Sequence, residues 1–269
     1  MRIRSGYVDA AWGQVHYRAA GDSGPWVALF HESPLSCRVY DDVLRELGTH
    51  CRAVAFDTPG YGASEPPVHD RFEIPDYAAV LGEAAHALGM RDAVLGGVHT
   101  GASLAIEAAH AVPGLAAGVF LSGVALFSAD ERAEMLASWA PDVAQDLDGT
   151  QFAWAVERYR RIWPDLTAPM LHTAVVEVMR VAERYNWGYN AAFRHDPAQP
   201  LADLRVPVLL LDAEHDMLAD KDPLALALAR FGRLAVLPGL PGQPHLRAPQ
   251  EYAAHIRDFA LEVSGACPR

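Results

Sequence analysis

One histidine framed by glycines is the residue of this chain best placed to do chemistry. In Gly97-Val98-His99-Thr100-Gly101 the imidazole sits at the centre of a short Gly-bounded turn. The run before it, Asp92-Ala93-Val94-Leu95-Gly96, reads as a short apolar strand, and Ala102 to Val112 reads as a helix of small residues. A strand, a sharp turn and a helix hold one side chain out from the apex. Glycines belong on either side because flanking side chains would collide with the neighbouring strand and helix. Imidazole titrates near neutrality, so it can act as acid, base or nucleophile. A polar ring on a strained apex is a poor choice for packing alone.

The rest of the chain must build a platform for that turn. At 269 residues there is room for one large domain with an insertion. With 51% hydrophobic and 21% charged residues, a sizeable core is expected. The net charge of −12 argues against nucleic acid or an anionic membrane as partner, and leaves a small-molecule substrate, with a homodimer open. The three cysteines, Cys37, Cys51 and Cys267, have no metal-ligand spacing. Cys37 and Cys51 are expected to be free and buried, and Cys267 to lie in a frayed tail. Met1-Arg2-Ile3-Arg4-Ser5 has no leader-like apolar stretch, and no run reaches the length of a membrane span. A soluble cytoplasmic protein with reduced thiols is expected.

Along the chain, Tyr7 to Tyr17 alternates around Gly13 and predicts a hairpin. Trp26–Phe30 predicts a strand buried on both faces and Arg52–Phe56 the next strand, with a helix from about Arg38 to Leu47 between them. Tyr77, Val80, Leu81, Ala84 and Leu88 recur at helical spacing. Ala117–Leu121 predicts another strand. From about Phe127 the alternation gives way to helices alone, opened by the capping-box pattern Ser128-Ala129-Asp130-Glu131. Strands resume at Val206–Leu211 and Leu234–Leu237, with a helix at Pro223–Ala229 between them. Tyr252, Ile256, Phe259 and Val263 line a last helix. The expected fold is α/β, a mostly parallel sheet flanked by helices. Residues 1–126 and 200–269 would form the core domain, and 127–199 a helical cap at one end of the sheet.

Five motifs in this order resemble the α/β-hydrolase fold, and the resemblance covers nearly the whole chain. His31-Glu32-Ser33-Pro34 is similar to the family's H-G-x-P oxyanion loop, and Asp57-Thr58-Pro59-Gly60-Tyr61-Gly62-Ala63-Ser64 to its D-x-P-G-x-G-x-S loop. Gly97–Gly101 resembles the G-x-S-x-G elbow with histidine in the serine's place. Ala213-Glu214-His215-Asp216 resembles the loop that carries the acid, and His245 the histidine before the last helix. The resemblance implies a variant triad of His99, Asp216 and His245, in which Asp216 orients the His245 ring and His245 is the general base. The backbone N–H groups of Ser33 and Thr100 would form the oxyanion hole. Two imidazoles facing one pocket should not both be cationic, so one is expected to titrate low. His31 and Asp57 are expected to pin their own loops.

The motifs depart from the pattern twice. Glu32 replaces a glycine and brings a carboxylate to the pocket; His99 replaces the nucleophile. Thr100, Ser103, Ser33 and Ser122 are poor substitutes, because the elbow presents one side chain. A metal held by His31, His99, His245, Glu32 and Asp216 lacks any compact ligand motif, so neither metal nor cofactor is expected. The cap is dense in aromatics, and Tyr159, Trp163, Tyr185, Trp187 and Tyr189 are expected to line an apolar substrate pocket with Glu32.

What the resemblance implies first is hydrolysis of an ester, lactone or C–C bond in a small, largely apolar carbonyl compound. Non-hydrolytic acid–base chemistry accounts better for His99: a lyase, decarboxylase, cyclase or cofactor-free oxygenase-like reaction. A ligand-binding protein that has lost catalysis is the third reading.

Overall fold

The computed structural model describes residues 1–11, 13–69 and 71–265, so Cys267 lies outside the described residues. Strands β1 (Arg4–Ala10) and β2 (Gly13–Ala20) pair antiparallel with Ala10 opposite Gly13, the predicted hairpin. The first apolar run is β3 (Trp26–Phe30). The helix expected from about Arg38 is split: a 3-10 turn at Cys37–Tyr40, capped by the Ser36 hydroxyl accepting from the Arg38 N–H, leads into α1 (Asp41–Leu47). Then follow β4 (Arg52–Phe56), α2 (Ile74–Ala87), β5 (Ala93–Val98), α3 (Thr100–Ala111) and β6 (Ala116–Ser122).

Four helices and a short fifth come next: α4 (Ala129–Ser138), α5 (Thr150–Ile162), α6 (Ala168–Met179), α7 (Trp187–Arg194) and α8 (Ala198–Asp203). The capping box at α4 forms as its sequence predicts, with Ser128 Oγ accepting from the Glu131 N–H and the Glu131 carboxylate accepting from the Ser128 N–H. The chain returns through β7 (Val208–Ala213), α9 (Asp222–Leu228), β8 (Gly232–Leu237), α10 (Pro244–Arg247) and α11 (Pro249–Val263).

The eight strands form one sheet in the order β1-β2-β4-β3-β5-β6-β7-β8, parallel from β4 onward. Alternation along each central strand divides the core into two layers. Ala28, Phe30, Leu95, Val208 and Leu210 pack with α2 and α3 on one face. Val27, Leu29, Val94, Leu209 and Leu211 pack with α1 and α11 on the other. Both faces are covered, which is why these strands are apolar throughout. Tyr159, Trp163, Val178 and Tyr185 of the inserted helical segment join the second layer, so the segment is seated on the sheet domain. Cys37 and Cys51 are free and buried, as expected. Among the described residues no helix is long and apolar enough to cross a membrane.

The elbow depends on close backbone approach. A Cβ on either Gly97 or Gly101 would overlap the carbonyl oxygen of Phe30 at the end of β3. Neither neighbour is a flexible side chain, so the backbone itself would have to move. Gly101→Ala is expected to lower stability by at least about 2 kcal/mol, as overpacking does, read from urea unfolding midpoints. An unchanged midpoint would show that the approach is not required.

Candidate active site

The elbow apex is His99, with φ 50° and ψ −108°. This left-handed backbone is rare for a residue with a side chain, and it is held from both ends. The His99 N–H donates to the Ser122 carbonyl at the end of β6 (2.8 Å), and the His99 carbonyl accepts from the Ala102 N–H as α3 begins (2.9 Å). The side chain is 19% exposed and lines a pocket between the sheet edge and the inserted helices.

His99 Nε2 lies 3.0 and 3.1 Å from the two carboxylate oxygens of Asp216. This corrects the role expected for Asp216: it orients the ring at the elbow, not that of His245. The physical reason is reach. A serine hydroxyl stops short of the acid and needs a second residue to bridge the gap, whereas imidazole spans it directly. Gly123, next to the end of β6, makes the space, since a Cβ there would overlap the His99 ring. Asp216 is fixed in turn by the Leu218 N–H donating to Oδ1 (2.9 Å).

His245 goes elsewhere. It is fully buried in α10, with its ring between Tyr40 and Tyr252. Its Nε2 lies 3.1 Å from Glu32 Oε1, an ion-pair contact whose angles fall short of a hydrogen bond. Glu32 lines the pocket and His245 does not. The expected triad therefore separates into two imidazole–carboxylate pairs, His99–Asp216 and Glu32–His245. Of the second pair, Glu32 and not His245 lines the cavity. Glu32 enters its glycine-like position without left-handed backbone: among the described residues only Asp92, His99, Asp165 and Gln243 have positive φ without being glycine.

The electrostatics follow from this pairing. Burial alone would push the His99 pKa down, but the charge of Asp216 and its hydrogen bond outweigh that and raise it to about 9. The elbow ring is thus an imidazolium at neutral pH and is not the ring that titrates low. Burial pushes the Asp216 carboxyl up, and the His99 charge with its hydrogen bond brings it below its ordinary value. Burial likewise raises Glu32, and the His245 charge and contact bring it down overall. Beneath the site, Asp212 of β7 accepts from the Gly123 N–H (2.7 Å). Burial first, then the charges of Asp216 and Asp222, raise its pKa well above the ordinary carboxylate range.

Of the residues expected around the pocket, Glu32, Ser33, Thr100, Tyr159, Trp163 and Tyr189 line it. Tyr185 and Trp187 do not. Tyr185 is buried inside the helical segment, its ring edge-on to Trp154 and its hydroxyl donating to the Pro141 carbonyl. Trp187 opens α7, whose pocket face is Tyr189, Ala192 and Phe193; two residues from Tyr189, it falls on another side of the helix. Trp139 and Gln243 also line the pocket, and Asp212 and Gly123 lie beneath it; none of the four belongs to a motif in the sequence. His31 and Asp57 hold their loops: the Thr58 N–H donates to His31 Nε2 (2.9 Å), which leaves Nδ1–H to donate to the Glu32 carbonyl. Asp57 accepts from the Cys37 and Ala63 N–H groups and pairs with His16.

The model of the "Alpha/beta hydrolase family" matches residues 19–255. The chain belongs to this family. Haloalkane dehalogenase 2 of Mycobacterium tuberculosis is 32% identical over 120 residues, covering 43% of this chain and 42% of that protein, so less than half of the dehalogenase is matched. The pimeloyl-[acyl-carrier protein] methyl ester esterase of Pectobacterium carotovorum is 24% identical over 261 residues, 91% of this chain and 98% of that one. Among solved structures, E-2-(acetamidomethylene)succinate hydrolase superposes with a TM-score of 0.78 at 21% identity, covering 96% of this chain and 99% of that one. The enol-lactonase of Burkholderia xenovorans superposes at 0.76 with 17% identity, covering 94% and 99%. Both structures share the α/β-hydrolase fold with this chain.

The His99–Asp216 pair has a pH signature. His99 binds its proton more tightly folded (about 9) than unfolded (6.5), so its stabilisation is complete below pH 6.5 and lost as pH rises through about 9. The stability difference between wild type and His99→Gln is expected to shrink across that window in thermal or urea unfolding. A difference that stays constant with pH would mean the ring is not charged.

Proposed function

We propose that this α/β hydrolase is an acid–base enzyme acting on small, largely apolar carbonyl compounds without an acyl-enzyme on a serine. The observation that carries the reading is the hydrogen bond from the elbow ring straight to the acid, with no hydroxyl between them. An imidazolium is no nucleophile, but it donates well to a carbonyl oxygen as negative charge develops there. The Glu32 carboxylate, backed by His245, is the complementary base on the same pocket.

In the first reading the substrate is an ester or lactone. Glu32 takes a proton from water, the resulting hydroxide attacks the carbonyl carbon, and the His99 imidazolium with the N–H groups of Ser33 and Thr100 stabilises the oxyanion. His99 then protonates the leaving oxygen. Hydrolytic relatives support this reading: an esterase over 98% of its length and an enol-lactonase in fold. In the second, the base removes a proton from substrate carbon or hydroxyl, leading to non-hydrolytic cleavage or cyclisation. The aromatic and aliphatic pocket wall favours it, because such a wall offers an attacking water few hydrogen-bond partners. The helices between residues 127 and 199 act as the cap in both.

His99→Gln and Glu32→Gln are each expected to lower kcat at least ~100-fold, within the range of general acid–base effects, on a panel of aryl esters and lactones. Activity should fall above about pH 9, where His99 loses its proton. Acid-quenched protein should show no acyl adduct by intact mass, and a fluorophosphonate should not label it. Labelling of any serine, or full activity in His99→Gln, would overturn the reading.

A further inference from the structure

Arg158 sits where a surface helix has no need of a cation. On α5, Arg160 and Arg161 face solvent, while Arg158 is 3% exposed. Its Nη1 donates to the Trp139 carbonyl (2.8 Å), and the Tyr189 hydroxyl lies against the guanidinium, but Nε and Nη2 make no well-aligned hydrogen bond. Among the described residues no carboxylate pairs with it. Four rings surround the guanidinium instead, Trp139, Trp154, Tyr185 and Tyr189, with centroids 5.4 to 5.8 Å away. Aromatic faces offset part of the burial cost of a cation, yet they accept no hydrogen bonds in the plane of the guanidinium. Two further buried donors share this region: the Tyr159 hydroxyl has no hydrogen-bond partner, and Trp139 Nε1 has only a poorly aligned contact with the Tyr189 hydroxyl. Trp139 and Tyr159 line the same pocket as His99 and Glu32, as does Tyr189 from the cage.

Unsatisfied donors gathered around a buried positive charge are what a carboxylate completes: it is anionic and has acceptor sites for several N–H and O–H groups. Leaving such groups unmet is costly in a low-dielectric interior. Glu32 repels a second carboxylate from its own end of the cavity, so the guest's acid group belongs at the cap end. We infer that the substrate is a carbonyl compound bearing a separate carboxylate, which accepts from Tyr159 and Trp139 and faces the Arg158 charge while its carbonyl meets His99. Arg158 is then a specificity-determining residue acting through the cap wall. This deepens the proposed function and rests on its reading of the pocket as the substrate site.

The test is equilibrium binding, which needs no turnover. Calorimetric titration of the full-length protein at pH 7 would compare 4-oxo-4-phenylbutanoate with its primary amide. The acid should bind at least tenfold more tightly. In Arg158→Met the preference should fall below twofold, and Tyr159→Phe should weaken the acid several-fold without affecting the amide. If Arg158→Met does not fold, the Trp139→Phe, Tyr159→Phe double variant carries the test. Equal affinity for acid and amide in wild type, no binding of the acid, or an unchanged preference in these variants would overturn the inference. His99→Gln separates it from the parent reading: loss of turnover with the acid preference intact supports both. Full turnover with that preference intact sinks the acid–base mechanism and leaves the carboxylate site standing.

Discussion

The hydrogen bond between His99 Nε2 and Asp216 governs the rest of the site. It links the end of β5 to the loop after β7 across the edge of the sheet, and it passes through the space that Gly123 leaves open. A residue that reaches the acid directly leaves no gap for a second imidazole. It also takes on the acid's charge complement. The left-handed apex backbone makes this arrangement rigid, because His99 is bonded on one side to β6 and on the other to the first turn of α3. Strain at the turn is tolerated since Gly97 and Gly101 let it sit tightly against Phe30.

The second pair follows from the first. With Asp216 engaged, His245 has Glu32 as its carboxylate partner, and Glu32 stands where the family's loop carries glycine. Two imidazole–carboxylate pairs thus share one pocket end, and each carboxylate is brought below its ordinary pKa by an imidazole, despite burial. Asp212, with no imidazole of its own, shifts the opposite way. Three buried acids accordingly shift in opposite directions by partner, not by depth. What results is an imidazole and a carboxylate on the same cavity, the pair to which the proposed function gives the roles of proton donor and acceptor.

The helical segment contributes shape and a buried cation. Its aromatic residues divide by helical face. Tyr159, Trp163 and Tyr189 line the cavity, while Tyr185 and Trp154 pack behind it around Arg158. The cage keeps a cation close to an otherwise apolar wall.

The architecture was legible because each strand and helix announces itself locally. The apolar runs at Trp26–Phe30 and Arg52–Phe56 became strands at those limits, and the Ser128–Glu131 pattern capped its helix. The glycines around His99 specified a turn that no bulkier residue could build, and motif order placed His99, Asp216, His245 and Glu32 at one end of the sheet. Partner choice among those four was not legible. It depends on side-chain reach and on a void opposite the elbow, and that void is the missing Cβ of Gly123, a residue of another strand's end. Tyr185, Trp187 and Arg158 were opaque for the same reason. Composition says a helix is aromatic or charged, but which face meets the cavity is decided only when helices from distant parts of the chain pack together.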